Sequence, residues 1–178
     1  MKHLFLVRHA KSSWADETLS DRERPLSARG VSQLAPLGNA LKSVGAFEGE
    51  VYSSSARRAV ATLQGILPDT VAAERYHTLS ALYTFDYRRL LAWLEEQADA
   101  PQITLVGHNP ALLELAQSLL KQPPEQLPTA SVIHIRLSIK HWRQIGRGKG
   151  KLVALITPKD YSYAHFERKP KKRARTAG

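Results

Sequence analysis

A set of short apolar runs that stop abruptly at polar residues and alternate with segments of helical period restricts the fold more than any other feature. Leu4-Phe5-Leu6-Val7 is such a run, preceded by His3 and closed by Arg8. With no polar alternation, it predicts a strand buried on both faces. Ile103-Thr104-Leu105-Val106-Gly107, rich in β-branched residues and bounded by Pro101, repeats the pattern, and Glu50-Val51-Tyr52-Ser53 is a weaker version. Helical spacing follows each run. One helix is predicted from an N-cap at Ser27 through Val31, Leu34, Leu37 and Leu41, with Pro36 and Gly38 interrupting its middle. Others are predicted from Arg57 to Leu67, closed by Pro68, from Tyr87 to Ala98, and after Pro110 through Leu112, Leu115 and Leu119.

This alternation predicts an α/β fold: a three-layer α/β/α sandwich with a mostly parallel central sheet. From Ser131 the pattern changes. Val132, Ile133, Ile135, Leu137 and Ile139 predict a long strand and Lys151 to Ile156 another, joined through Gly146, Gly148 and Gly150 as an antiparallel pair that supplies an antiparallel edge strand. The glycine segment has neither the spacing nor the Ser or Thr of a phosphate-binding loop, since Leu152 follows Lys151.

Charge divides the chain. The formal net charge of +10 is confined to residues 140–178, because residues 1–139 hold 14 basic and 14 acidic side chains. A body, 1–158, whose first 139 residues are balanced in charge, is therefore expected to carry a basic, mobile tail, 159–178, that ends in Arg168-Lys169-Pro170-Lys171-Lys172-Arg173-Ala174-Arg175. Three readings of that tail stand: a solvated end, a contact to an anionic partner such as nucleic acid or acidic protein, or a targeting signal. Absence of cysteine excludes disulfides, thiol nucleophiles and cysteine-based zinc sites. The first apolar run is too short for a signal peptide or a membrane span, so no membrane association and a cytoplasmic location are expected.

Chemistry gathers at the strand ends. Arg8-His9 follows the first strand, Arg57-Arg58 the second, and His108 the Ile103 strand. The carboxyl ends of parallel strands share one sheet edge, so these groups converge although about 100 residues separate the first from the last. Imidazoles and guanidiniums without an acidic cluster suit phosphoryl transfer without metal or cofactor. Arg forks bind phosphoryl oxygens bidentately, and a neutral imidazole is a competent nucleophile at neutral pH. His3, His77, His134, His141 and His165 fit no motif, and surface or strand roles are expected for them.

Leu6-Val7-Arg8-His9-Ala10 resembles the Arg-His-Gly signature of the histidine phosphatase (phosphoglycerate mutase-like) superfamily, a likeness that spans roughly residues 1 to 157. Asp21-Arg22-Glu23-Arg24-Pro25-Leu26-Ser27 with Gly30, Ser54-Ser55-Ala56-Arg57-Arg58-Ala59 with Thr62, Val106-Gly107-His108-Asn109-Pro110 and Pro128-Thr129-Ala130-Ser131 are similar to the short SixA-type phosphohistidine phosphatases. Ala10 stands in place of the usual Gly, and Ser55 where Pro is common. The resemblance implies that His9 is the phosphorylated nucleophile and that Arg8, Arg58 and a protonated His108 form the phosphate pocket. Asp21 and Arg24 are expected to shape the adjoining loop through an ion pair, and Ser12, Ser13 and Asn109 to contact substrate. Trp14 is expected either as a substrate wall or as packing.

Larger members of the superfamily place a carboxylate acid after the third strand, where this chain reads Leu79-Ser80-Ala81-Leu82-Tyr83. The missing acid favours a phosphoramidate, whose leaving imidazole already carries a proton, over an alkyl ester; Asp16, Glu17 and Asp86 are the loop carboxylates within reach. The expected substrate is a phosphorylated protein bearing phosphohistidine. The alternatives are a small phosphorylated molecule, and a non-catalytic module whose tail contacts nucleic acid.

Overall fold

The computed structural model describes residues 1–161. Its elements run β1 (Lys2–Arg8), α1 (Ala28–Ser43), β2 (Glu50–Ser54), α2 (Arg57–Ile66), β3 (Tyr76–Leu79), α3 (Tyr87–Glu95), β4 (Gln102–Gly107), α4 (Ala111–Leu119), β5 (Val132–Leu137), β6 (Gly150–Ile156) and α5 (Pro158–Tyr161). Six strands form one sheet in the order β3-β2-β4-β1-β5-β6. β1, β2, β3 and β4 pair in parallel, whereas β5 is antiparallel to both β1 and β6. The antiparallel strand thus lies one position inside the edge, and β6 occupies the edge itself.

Side-chain alternation along β1 builds both halves of the core. Leu4 and Leu6 face a cluster formed with Leu90 and Leu94 of α3, Leu112, Leu115 and Leu119 of α4, and Trp142. Phe5 and Val7 face the opposite cluster, with Leu37 and Leu41 of α1, Ala59, Leu63 and Ile66 of α2, and Tyr161. A strand apolar at every position is what a sheet covered on both faces requires.

Several elements differ from expectation for local reasons. β3 escapes sequence reading because Tyr76-His77-Thr78-Leu79 is short, polar and only partly buried at the sheet edge. Ser27 caps α1 by accepting from the Gly30 N–H at 3.1 Å, and the helix continues unbroken through Pro36 and Gly38. At Gly38 a side chain is excluded, since a Cβ would fall 2.8 Å from the Ile66 carbonyl oxygen of α2. α3 stops at Glu95 rather than Ala98, and β5 at Leu137 rather than Ile139. The β5–β6 connection is no tight turn: it holds a 3-10 turn, Trp142–Gln144, whose buried indole donates to the Ala100 carbonyl at 2.8 Å.

Lys159 to Tyr161, placed with the tail on sequence grounds, belong to α5. Tyr161 is buried, and its hydroxyl donates to the Ala130 carbonyl. The basic run from Arg168 to Arg175 lies outside the described residues.

Candidate active site

The carboxyl ends of β1, β2 and β4 deliver the expected groups to one cavity of about 350 Å³, lined by Arg8, His9, Lys11, Ser12, Trp14, Asp21, Arg24, Arg58, Phe85, His108, Asn109 and Thr129. Of the nine residues named as site residues from sequence, only Ser13 is absent from this wall. Its hydroxyl instead accepts from the Ala15 N–H at 3.1 Å, and its carbonyl accepts from Arg24 at 3.3 Å. Ser13 thus braces the loop, outside the wall where a substrate contact was expected of it.

His9 is buried at the end of β1, and its Nδ1 lies 2.7 Å from the Ala10 carbonyl. A carbonyl oxygen only accepts, so Nδ1 carries the proton and Nε2 keeps its lone pair. The Nε–H of Arg58 donates to that lone pair at 3.3 Å. Burial first, and then the nearby Arg58, Arg8 and Arg24, push His9 down to about 4 against a partly opposing bond to Ala10. At neutral pH the imidazole is uncharged, with Nε2 facing the guanidinium.

His108 follows β4 and is held from both sides. Its Nε2 lies 2.7 Å from the Ser54 hydroxyl, and its Nδ1 is 3.4 Å from Arg58 Nη2. Because a guanidinium only donates, Nδ1 accepts and Nε2–H points to Ser54. Burial, followed by His9 and Arg58, pushes His108 down to about 3. At neutral pH burial and the cationic neighbours hold His108 neutral, whereas the protonated form was expected from sequence.

Arg58 stands in the first turn of α2 and organises the floor. Besides His9 and His108, it donates to the Asp21 carbonyl at 2.6 Å and to the Asp21 carboxylate at 3.0 Å. Arg24 meets the same carboxylate at 3.2 Å, the ion pair expected from sequence, and also reaches the Ser12 hydroxyl at 2.7 Å. The Tyr83 hydroxyl donates to Asp21 at 2.6 Å. Partial burial pushes Asp21 upward, but the Tyr83 and Arg58 hydrogen bonds outweigh it and bring Asp21 to about 2. An ionised, fully engaged carboxylate is no proton donor at neutral pH. Asp16 bonds Thr18 and Asp86 bonds Arg88, and neither lines the cavity.

Arg8 donates to the Leu127 carbonyl at 3.0 Å, while its buried Nε has no hydrogen-bond partner among the described residues. A buried donor left over in a cavity wall is one that an oxyanion would satisfy. Asn109 is spent on the protein, donating to Leu127 at 2.9 Å and accepting from the Leu113 N–H at 3.3 Å. Ser55 accepts from Arg22 at 2.6 Å and ties the Asp21 turn to the start of α2. Ala10 lends its N–H to the Thr62 hydroxyl at 3.0 Å. Trp14 takes the wall position, with the Arg24 guanidinium 3.5 Å from its ring centroid.

Lys11, Phe85 and Thr129 of the wall, with Ser54 and Tyr83, are the residues that site reading from sequence missed. Ser54 sits inside the motif that carries Arg58, but no local pattern shows that its hydroxyl turns to His108. Among the described residues, no three His, Asp or Glu side chains gather as a metal site, and no helix is long and apolar enough to cross a membrane.

The family model described as the histidine phosphatase superfamily (branch 1) matches residues 4–87, a stretch that includes His9 and Arg58. With the sheet order above, the chain carries the histidine phosphatase fold. Its structural neighbours include SixA of Agrobacterium tumefaciens, at TM-score 0.73 and 19% identity, covering 88% of this chain and 98% of that one. A protein histidine phosphatase SixA complexed with tungstate superposes at TM-score 0.69 with 22% identity, over 89% and 98% of the two chains. The alpha-ribazole phosphatase of Shigella flexneri shares the fold at TM-score 0.63 and 20% identity, over 87% and 96%. By sequence, an uncharacterised chloroplastic protein of Arabidopsis thaliana is 28% identical, covering 88% of this chain and 78% of the relative. Together the superfamily match and these neighbours establish the fold.

Proposed function

We propose that this protein hydrolyses a phosphoryl group through a covalent intermediate on His9, and that its substrate is phosphohistidine on a partner protein. The observation that carries the reading is the neutral His9 with its Nε2 lone pair 3.3 Å from Arg58 Nε. A phosphoryl oxygen drawn to Arg58 brings phosphorus within reach of that lone pair.

In the first step His9 Nε2 attacks phosphorus and the bond from phosphorus to the leaving group breaks, its electron pair going to the departing nitrogen. Arg8 and Arg58 neutralise the phosphoryl oxygens. The dianion also opposes the cationic surroundings that keep His108 neutral, so His108 takes up a proton from solvent on Nδ1, gives up its bond from Arg58 and hydrogen-bonds a phosphoryl oxygen, while its Nε2–H stays on Ser54. In the second step water attacks phospho-His9, the phosphorus–nitrogen bond breaks, and inorganic phosphate leaves with the water's oxygen. The guanidiniums supply the positive charge, and the reaction is proposed to need no metal.

The choice of a phosphoramidate rests on the proton inventory. Asp21, among the described residues the one carboxylate in the wall, is held ionised, so no carboxylic acid stands ready to protonate a departing alkoxide, whereas an imidazole leaves already protonated. A cytoplasmic location and an anionic partner for the basic end belong to the same proposal. The test incubates the full chain with a phosphohistidine protein and with a panel of phosphate esters. Faster release from phosphohistidine, with a base-stable label on His9 by mass spectrometry at alkaline pH, is the expected result. Ester turnover far above phosphohistidine turnover would overturn the substrate reading in favour of a small-molecule phosphatase. Turnover without any His9 label would overturn the covalent mechanism.

A further inference from the structure

Trp14 and Phe85 are 74% and 46% exposed, the two most exposed aromatic side chains among the described residues, and both line the cavity that holds His9. They arrive on separate loops, Trp14 after β1 and Phe85 after the 3-10 turn Ser80–Leu82. Each is held in place. The Arg24 guanidinium lies against the indole, and the Phe85 ring centroid is 5.5 Å from that of His108 and 5.7 Å from that of Tyr83. Large apolar rings left in water at the mouth of a charged cavity gain nothing for folding, and they mark a surface that a ligand covers.

Two uncharged polar side chains of the same wall, Ser12 and Asn109, are spent on the protein, which leaves the Thr129 hydroxyl beside the cationic Lys11 and Arg8. The Ser12 hydroxyl accepts from Arg24, and both ends of the Asn109 amide are bonded to backbone. A sugar or polyol attached to the phosphoryl group would therefore find few free partners, whereas a flat ring finds two. We infer that Trp14 and Phe85 are specificity-determining residues that bind a flat aromatic ring carrying the phosphoryl group. This inference rests on the phosphatase reading above and narrows its leaving group to an imidazole or a phenol.

Binding of non-hydrolysable phosphonates tests it apart from turnover. Calorimetry on the full chain compares phenylphosphonate with methylphosphonate, which share the anionic head and differ in the ring. Wild type is expected to prefer the phenyl compound about tenfold, the scale of one aromatic contact. In Trp14→Ala and in Phe85→Ala the ratio is expected to fall towards one, and Trp14→Phe should restore most of it. Equal affinities in wild type, binding of neither compound, or a fall of both affinities by one factor in the variants would overturn the inference.

A second arm separates the two ring sources by turnover of phosphohistidine and phosphotyrosine peptides. Faster phosphohistidine release assigns the ring as imidazole, and faster phosphotyrosine release assigns it as phenol. A phenyl preference lost in the variants, with neither peptide hydrolysed, supports the ring site while overturning the hydrolytic reading.

Discussion

Acid should destabilise this protein through its two pocket histidines, and the His9 share can be isolated. A histidine titrates near 6.5 in an unfolded chain, and burial beside Arg58 and Arg8 takes His9 to about 4 in the fold. Its folded value is depressed, so between those two values the unfolded state binds more protons and stability falls as pH falls. At pH 5 about 97% of unfolded His9 is protonated against about a tenth of the folded form, a difference of about 2 kcal/mol relative to pH 7. Replacing His9 by Asn removes this term and also relieves the part of the His108 shift that His9 causes, which adds to the difference in the same direction. Urea denaturation of wild type and His9→Asn at pH 7 and pH 5 gives four free energies. The wild type is expected to lose about 2 kcal/mol more than the variant over that interval. Equal losses would mean that His9 titrates normally in the folded chain, and the neutral-nucleophile mechanism would lose its footing.

Three other substitutions probe the framework. Asp21→Asn removes the charge that pairs with both Arg58 and Arg24, and kcat/KM should drop about tenfold or more, the drop shared by Tyr83→Phe in smaller measure; steady-state kinetics at pH 7 checks both. Gly30→Ala would set a Cβ 2.0 Å from the Lys11 carbonyl oxygen, so the loop from Lys11 to Trp14 must shift, seen as lost phosphonate affinity together with a lower melting temperature. Leu112→Ala, fully buried in α4, should cost about 2–5 kcal/mol in urea denaturation while kcat at pH 7 stays unaltered.

Periodicity and strand-end position make much of this structure legible in the sequence. Burial on two faces writes itself locally, as in Leu4 to Val7, and the strands and helices that frame the cavity follow from such runs. The basic groups at the ends of β1 and β4 and at the start of α2 were readable for the same reason, since the rule that parallel strands share an edge does not depend on detail. β3 was not readable, because an edge strand half in water needs no apolar pattern. The position of Trp14 was open in the sequence, where wall and packing have one signature.

Proton positions and pairings required the folded chain. That His9 keeps its lone pair on Nε2 depends on the Ala10 carbonyl and on an arginine 49 residues away. That Asp21 is ionised and no acid depends on Tyr83, 62 residues distant, and on Arg58. The neutral state of His108 depends on Ser54, Arg58 and burial. Residue type and spacing along one chain placed these groups at a common edge. Which atom donates, which accepts and which stays charged arises from contacts a few ångströms long between distant segments, where a local pattern carries no information.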